Sequence, residues 1–256
     1  MRVVILQPGY LPWLGFFDQF YQCDLFVFFD DVQFDRRGWR HRNRIKCRTG
    51  AQWLTVPVQS KGRFTQTIRE TRIDTARPWQ RKHLGSVRAC YARAAYFDCY
   101  YPEFERIVQR PWQFLIDLDL AVIDVLLAWL GLDRPRRLAS EIGGAGSATQ
   151  RLVEICRAVG ATEYLSGESG AAYLDESLLR TYGMALCYQH YAHPTYRQLF
   201  GPFVSHLSVI DLLFNHGPES LAILTGQPVD GANQGARADH GARERGSVPP
   251  VVGRRP

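Results

Sequence analysis

The sequence predicts an α/β fold: a Rossmann-like, mostly parallel sheet flanked by helices, with a small antiparallel insertion near residues 38–75. Three observations predict it. Short apolar runs such as Val3–Leu6 and "LFVFFD" at Leu25–Asp30 read as buried strands. Segments of helical spacing alternate with them, as in sheets built from parallel crossovers. The block from about Trp39 to Val58 instead reads as a hairpin or small sheet.

The elements follow in order. Val3–Leu6 is apolar throughout and stops at Gln7-Pro8. Gly9 then permits backbone angles that other residues avoid, and Pro12 suits the first turn of a helix. Trp13, Phe16, Phe17 and Phe20 recur at helical spacing before the second strand. In the hairpin, "QWLTVPV" is the clearest strand, and Pro57 places it at an edge or at its end. "TIRETRID" alternates and is expected to be a further strand. Pro78 opens a helix with Leu84, Val87, Tyr91 and Ala94 on one face. Trp112 to Leu130 is a longer, mostly buried helix closed by Gly131, and another runs from about Ala148 to Val159. "TEYLSG" and "MALCYQHY" are strands, with helices at Leu174–Tyr182 and Leu207–Asn215. Residues 1–228 are expected to form a single α/β domain. Residues 229–256, rich in Gly, Ala, Arg and Pro without an apolar period, are expected to be a disordered tail.

Composition narrows the function. With 256 residues and 46% hydrophobic content, the chain can bury a sizeable core. No apolar run reaches the ~20 residues of a membrane span. The start reads as a strand rather than a secretory signal, so a cytoplasmic location is expected. The six cysteines show no short pairing and are expected to be free thiols. A formal charge of +6 favours anionic ligands without requiring nucleic acid.

The densest polar run is "DDVQFDRRGWRHRNRIKCR". If it is extended, Arg40, Arg42, Arg44 and Lys46 share one face, and His41, Asn43 and Ile45 the other. Guanidinium forks bind carboxylate and phosphate through paired hydrogen bonds. Arg42, Arg44 and Lys46 are therefore the candidate anion site; a solvated basic hairpin is the alternative. Asp30 and Asp31, at the second strand's end, are candidates for a base, and equally for turn or helix caps. Ligands of parallel sheets sit at the strands' carboxyl ends. Gln7, Tyr10, Gln33 and Asn43 are accordingly candidate substrate-binding residues, together with Ser166 and Gly167 of the "YLSGESG" loop, whose backbone N–H groups suit an anion. His193 is a candidate acid–base residue and Tyr196 a candidate hydrogen-bonding one, both in "HYAHPTYRQLFGPF". His190 and His193 lack an acidic partner nearby in the chain, so no metal is expected. No cofactor is expected either.

Seven stretches together resemble the WbqC-like family of bacterial proteins: "QPGYLPWLGFFDQF", "DLFVFFDDVQF", "WRHRNRIK", "QWLTVPV", "YLSG…YLD", "HPTYRQLFGPF" and "LSVIDLLFNHG". The resemblance covers about residues 2 to 220. It departs at His41, where the family's Trp-x-Asn-Arg-Asn pattern has asparagine. The resemblance implies a place in O-antigen or other surface-polysaccharide assembly and a glycine (aminoacyl) transferase acting on a sugar. The opening blocks also resemble the nucleotidyl-transferring superfamily that includes pantothenate synthetase, but "LPWLG" stands in place of its His-x-Gly-His.

The expected function is a transferase forming an amide or ester on an amino sugar or similar polar metabolite. Its partners would be a phosphate-bearing donor, such as a nucleotide sugar, acyl-CoA or aminoacyl-tRNA, and a polar, sugar-like acceptor. A non-catalytic binding or assembly protein of the same pathway is one alternative, and an RNA-binding protein another. The sequence does not specify an oligomeric state.

Overall fold

The computed structural model describes residues 1–226. The expected tail lies outside the described residues. Five strands form one parallel sheet in the order β5-β2-β1-β6-β7: β1 (Arg2–Leu6), β2 (Leu25–Phe28), β5 (Arg136–Leu138), β6 (Glu163–Ser166) and β7 (Ala185–Tyr188). A separate antiparallel hairpin pairs β3 (Arg42–Cys47) with β4 (Gly50–Thr55), Arg44 lying opposite Trp53. The α/β class with a small antiparallel insertion is therefore the architecture observed.

The continuous apolar runs arise because both sheet faces are covered. Val4, Phe26 and Phe28 join one core with Phe16, Phe17 and Phe20 of α1 (Leu14–Gln22). Phe20 stacks on Phe26 with ring centroids 3.7 Å apart. This core continues into α2 (Trp79–Tyr91), α3 (Phe97–Val108), α4 (Leu115–Leu130) and α8 (Val209–His216). Val3, Ile5, Leu25 and Val27 point the other way, onto α6 (Ala148–Ala158) and Leu179 of α7 (Glu176–Thr181). Short helices α5 (Ala139–Ile142) and α9 (Ser220–Thr225) complete the described chain. No described helix is long and apolar enough to cross a membrane.

This topology decides where a ligand can sit. From β1 the chain passes through α1 on one face to β2. From β6 it passes through α7 on the other face to β7. The loops leaving β1 and β6 diverge, opening a crevice at their carboxyl ends, which is the usual ligand position in such sheets.

Several expectations are corrected. "TIRETRID" is not a strand; it is a run of turns that meets its neighbours only at isolated bridges such as Val58–Ile73 and Arg72–Phe114. Each bridge satisfies backbone groups locally, which mimics strand alternation in the sequence. The first helix begins at Leu14, with Trp13 as its N-cap. Helix α3 and edge strand β5 were not anticipated: Pro102 stands inside the former, and the three residues of the latter are charged or partly exposed. The cysteines are not all free, because Cys47 and Cys90 form a disulfide with Cα atoms 4.8 Å apart. Their 43-residue separation conceals a contact made only when α2 packs on the end of β3.

Candidate active site at the ends of β1, β6 and β7

A cleft of about 440 Å³ occupies this crevice. Leu6, Gln7, Gly9 and Trp13 form one wall; Gly167, Glu168 and Ser169 form another; Trp39, Arg40 and Asn43 reach over from the hairpin; Gln189, Tyr191 and His206 close the far side. Its volume suits a metabolite-sized ligand.

Backbone contacts bind these segments into one body. Tyr10 N–H donates to the Arg40 carbonyl at 2.9 Å, Ser208 N–H to that of Arg44 at 2.8 Å, and Val209 N–H to that of Pro12 at 2.9 Å. A Cβ at Gly9 would lie 3.0 Å from the Trp39 carbonyl oxygen, so glycine is what lets the hairpin segment approach so closely. The floor is a polar network. Gln189 Nε2 donates to the Gly15 carbonyl (2.9 Å) and to Asp18 Oδ2 (2.5 Å), while Gln19 Nε2 donates to Gln189 Oε1 (2.7 Å). Burial raises the Asp18 pKa against the amide hydrogen bonds it accepts from Gln189 and Gln22. Asp119, which interacts electrostatically with Arg40 and Tyr10, is fully buried with neither carboxyl oxygen hydrogen-bonded among the described residues. Burial pushes its pKa far up, and the Arg40 charge opposes that shift.

The anticipated residues divide into two groups. Gln7, Asn43 and Gly167 meet in the cleft. The Gln7 side-chain amide has no partner among the described residues, whereas its backbone carbonyl accepts from Arg40 at 2.8 Å. Asn43 is engaged structurally: Nδ2 donates to the Leu11 carbonyl at 2.6 Å.

The others lie elsewhere, each for a visible reason. Tyr10 is fully buried, its hydroxyl 3.1 Å from His83 Nδ1. Asp30, 1% exposed, accepts from Ser140 N–H (3.0 Å) and Oγ–H (2.7 Å) and so anchors α5. Asp31 pairs with Arg151 at 2.6 Å, tying the end of β2 to α6. Gln33 Nε2 holds the Phe64 carbonyl at 2.7 Å on the surface. Ser166 is buried and donates to the carbonyl of Gly167. Tyr196 is core, its hydroxyl donating to Asp211 at 3.0 Å.

The basic run does not form one anionic-ligand face. Lys46 is 1% exposed, and its ammonium donates to Gln198 Oε1 (3.0 Å) and the Pro202 carbonyl (2.6 Å). Hairpin twist and the packing of residues 198–202 enclose a position that alternation alone would expose. Arg42 lies over the Trp53 ring at 4.7 Å and donates to the carbonyls of Gly38 and Arg37. Arg44 donates to the His206 carbonyl at 3.3 Å and lies near the rings of both Trp39 and Trp53. The two indoles sit 4.9 Å apart and are each 44% exposed beside the cleft mouth.

A family model described as the WbqC-like protein family matches residues 7–223. The chain belongs to the WbqC-like protein family. It is 37% identical over 224 residues to a Mycobacterium tuberculosis protein named "Uncharacterized protein Rv1507c", a match covering 86% of this chain and 95% of the relative. No solved structure matches it significantly. Membership in the WbqC-like family suggests a protein of a biosynthetic pathway.

The WbqC-like opening block, "QPGYLPWLGFFDQF", supplies most of one cleft wall, and the arginine–asparagine block supplies the cover. Sequence reasoning missed Gln19, Gln189 and His206. Gln19 looks like one more residue of an amphipathic helix. Gln189 and His206 lie between recognisable elements, and only the fold brings them to the end of β1.

Proposed function

We propose that this WbqC-like chain is a transferase that forms an amide or ester on an amino sugar or similar polar metabolite, glycyl or aminoacyl transfer being one form of that reaction. The observation that carries this is the cleft at the diverging ends of β1 and β6, where the unpartnered Gln7 amide faces the same space as Trp39, Glu168 and Ser169. An amide and a hydroxyl are suited to the hydroxyl and amine groups of a sugar-like acceptor, and an indole face to the apolar side of its ring. The phosphate-bearing donor would approach over Trp39 and Trp53, where the guanidinium groups of Arg42 and Arg44 lie.

A non-catalytic binding protein is the second reading. It is favoured by Asp30 and Asp31, whose carboxylates are held by Ser140 and Arg151 instead of facing the cleft. One experiment separates the two. The full chain is incubated with nucleotide-linked amino sugars plus acyl- and aminoacyl donors, and products are read by mass. Catalytic turnover that falls at least tenfold in Gln7→Ala, with unchanged thermal midpoint, supports the transferase. Saturable binding of an amino sugar without turnover by any donor supports the binding protein.

A further inference from the structure

We infer that His206 is the proton-accepting residue of the cleft, and that His193 is a positioning residue that holds it there. This role rests on the transferase function proposed above.

Three independent features single out His206. It lines the cleft and is exposed. Its backbone has φ +57, in the left-handed region that a non-glycine residue occupies at a cost. That conformation is fixed from both sides: the His206 N–H donates to His193 Nε2 at 3.1 Å, and its carbonyl accepts from Arg44 at 3.3 Å. The ring lies along Trp13, with centroids 5.3 Å apart and planes 21° apart. Trp13 itself is folded over Gly15, where a Cβ would come within 2.3 Å of the indole. His206 Nδ1 sits 2.8 Å from Ser205 Oγ. In the proposed tautomer Nδ1–H donates there and Nε2, which has no partner among the described residues, carries the lone pair.

His193 cannot take that part in this arrangement. Its Nε2 accepts the His206 N–H, so the ring proton is on Nδ1, which donates to the Pro194 carbonyl at 2.8 Å. Both ring nitrogens are committed to backbone, and burial lowers the pKa. The imidazole is thereby kept neutral, with its acceptor nitrogen aimed at the strained loop.

The proposed step balances without a further reactant. The acceptor's amine nitrogen bonds to the donor's carbonyl carbon, and the bond from that carbon to the leaving group breaks with its electron pair. His206 Nε2 takes one N–H proton from the attacking nitrogen and returns it to the leaving group. The charged and titratable groups facing His206 are His193, whose ring centroid is 4.9 Å away, and Arg44 at its carbonyl. Glu168, Arg40 and Tyr191 share the cleft lining with it.

The test has two arms on the full chain. The first uses diethyl pyrocarbonate, which acylates an imidazole nitrogen bearing a free lone pair, with sites mapped by mass spectrometry. His206 should react at least tenfold faster than His193; equal rates, or faster reaction at His193, would overturn the assignment. The second uses whichever donor and acceptor turn over. His206→Asn, which tolerates left-handed backbone, should lower kcat by about 10²–10⁴ and remove the acid limb of the kcat/KM profile. His193→Ala should lower kcat and move that limb, and His193→Gln, which restores an acceptor for the His206 N–H, should recover it in part. Unchanged kcat in a folded His206→Asn would also overturn the inference. If no pair turns over, the transferase function itself fails. The modification rates then decide alone whether His206 is the reactive imidazole of the cleft.

Discussion

Asn43 and Leu11, 32 residues apart in the chain, are joined by a buried hydrogen bond of 2.6 Å from Asn43 Nδ2 to the Leu11 carbonyl. Leu11 has φ +52, strained for a non-glycine residue, so the amide holds the loop after β1 in a conformation it would otherwise leave. Asn43→Ala should therefore cost about 1–3 kcal/mol, because a buried carbonyl loses its donor. Urea unfolding measures this. A loss below about 0.5 kcal/mol, typical of surface changes, would show that the loop keeps its shape unaided.

Lys46 should behave as a structural cation. Lys46→Met leaves the Pro202 carbonyl without its donor and the Gln198 amide oxygen with only that of Val204 N–H. The expected loss is about 2–4 kcal/mol. Arg36→Ala, at an exposed position, should stay within about 0.5 kcal/mol. Weakened ligand binding in Lys46→Met with no change in melting temperature would instead make it part of an anion site.

The Cys47–Cys90 bond closes a loop with a sequence separation of 43 residues. Loop-closure entropy puts its contribution at about 4 kcal/mol. The unfolded, unreduced chain should expose four titratable thiols, those of Cys23, Cys99, Cys156 and Cys187, and six after reduction. Reduction should lower the urea midpoint, and the Cys47→Ala/Cys90→Ala double variant should reproduce the drop. Six thiols before reduction would mean that the bond does not form.

Acid should act through buried histidines. His83 is held neutral between the Tyr10 hydroxyl and the Thr55 carbonyl, and burial lowers its pKa from 6.5 to about 4. Between those two values the unfolded chain binds the extra proton, so this contribution is complete above about 6.5 and is lost as pH falls toward 4. The loss amounts to roughly 3 kcal/mol at most, and less where water penetrates. Burial also lowers the His41 pKa to about 4, which acts in the same direction. The buried carboxylates Asp18 and Asp211, with raised pKa values, act oppositely, and they cancel in a comparison of two variants. Unfolding free energies of wild type and His83→Gln at pH 7 and pH 5 should differ in slope, the wild type losing more. Parallel slopes would show that His83 titrates alike in both states.

Much of this fold was written into local patterns. Val3–Leu6 and Leu25–Phe28 are recognisable because a strand covered on both faces must be apolar along its length. The helix from Leu115 and the face of Leu84, Val87 and Tyr91 follow from spacing, since burial on one side of a helix leaves a period. Gln7 could be placed in the cleft because a polar residue directly after a parallel strand emerges at the sheet's ligand-bearing edge. The seven WbqC-like stretches sufficed to identify the family.

Where charged residues go was settled only by tertiary structure. Asp30, Asp31, Arg42, Arg44 and Lys46 have the composition of a site, but a charge near the core takes whichever partner best offsets its desolvation. Here those partners are Ser140, Arg151, the carbonyls of Arg37, Gly38 and His206, and the Gln198–Pro202 segment. Apart from those of Arg42, four and five residues away, these partners lie 110 or more residues along the chain, a distance at which sequence pattern carries no signal. The same holds for Cys47 with Cys90, and for His206, which stands beside Trp13 only because the segment before α8 pairs with the loop before α1. Sequence alone determined four of the five strands of the parallel sheet, most of the longer helices and the edge of the sheet that opens to a ligand, because each depends on neighbours in the chain. The choice of side chains that face that opening belonged to the tertiary structure, because it depends on which distant segment is available to neutralise each polar group.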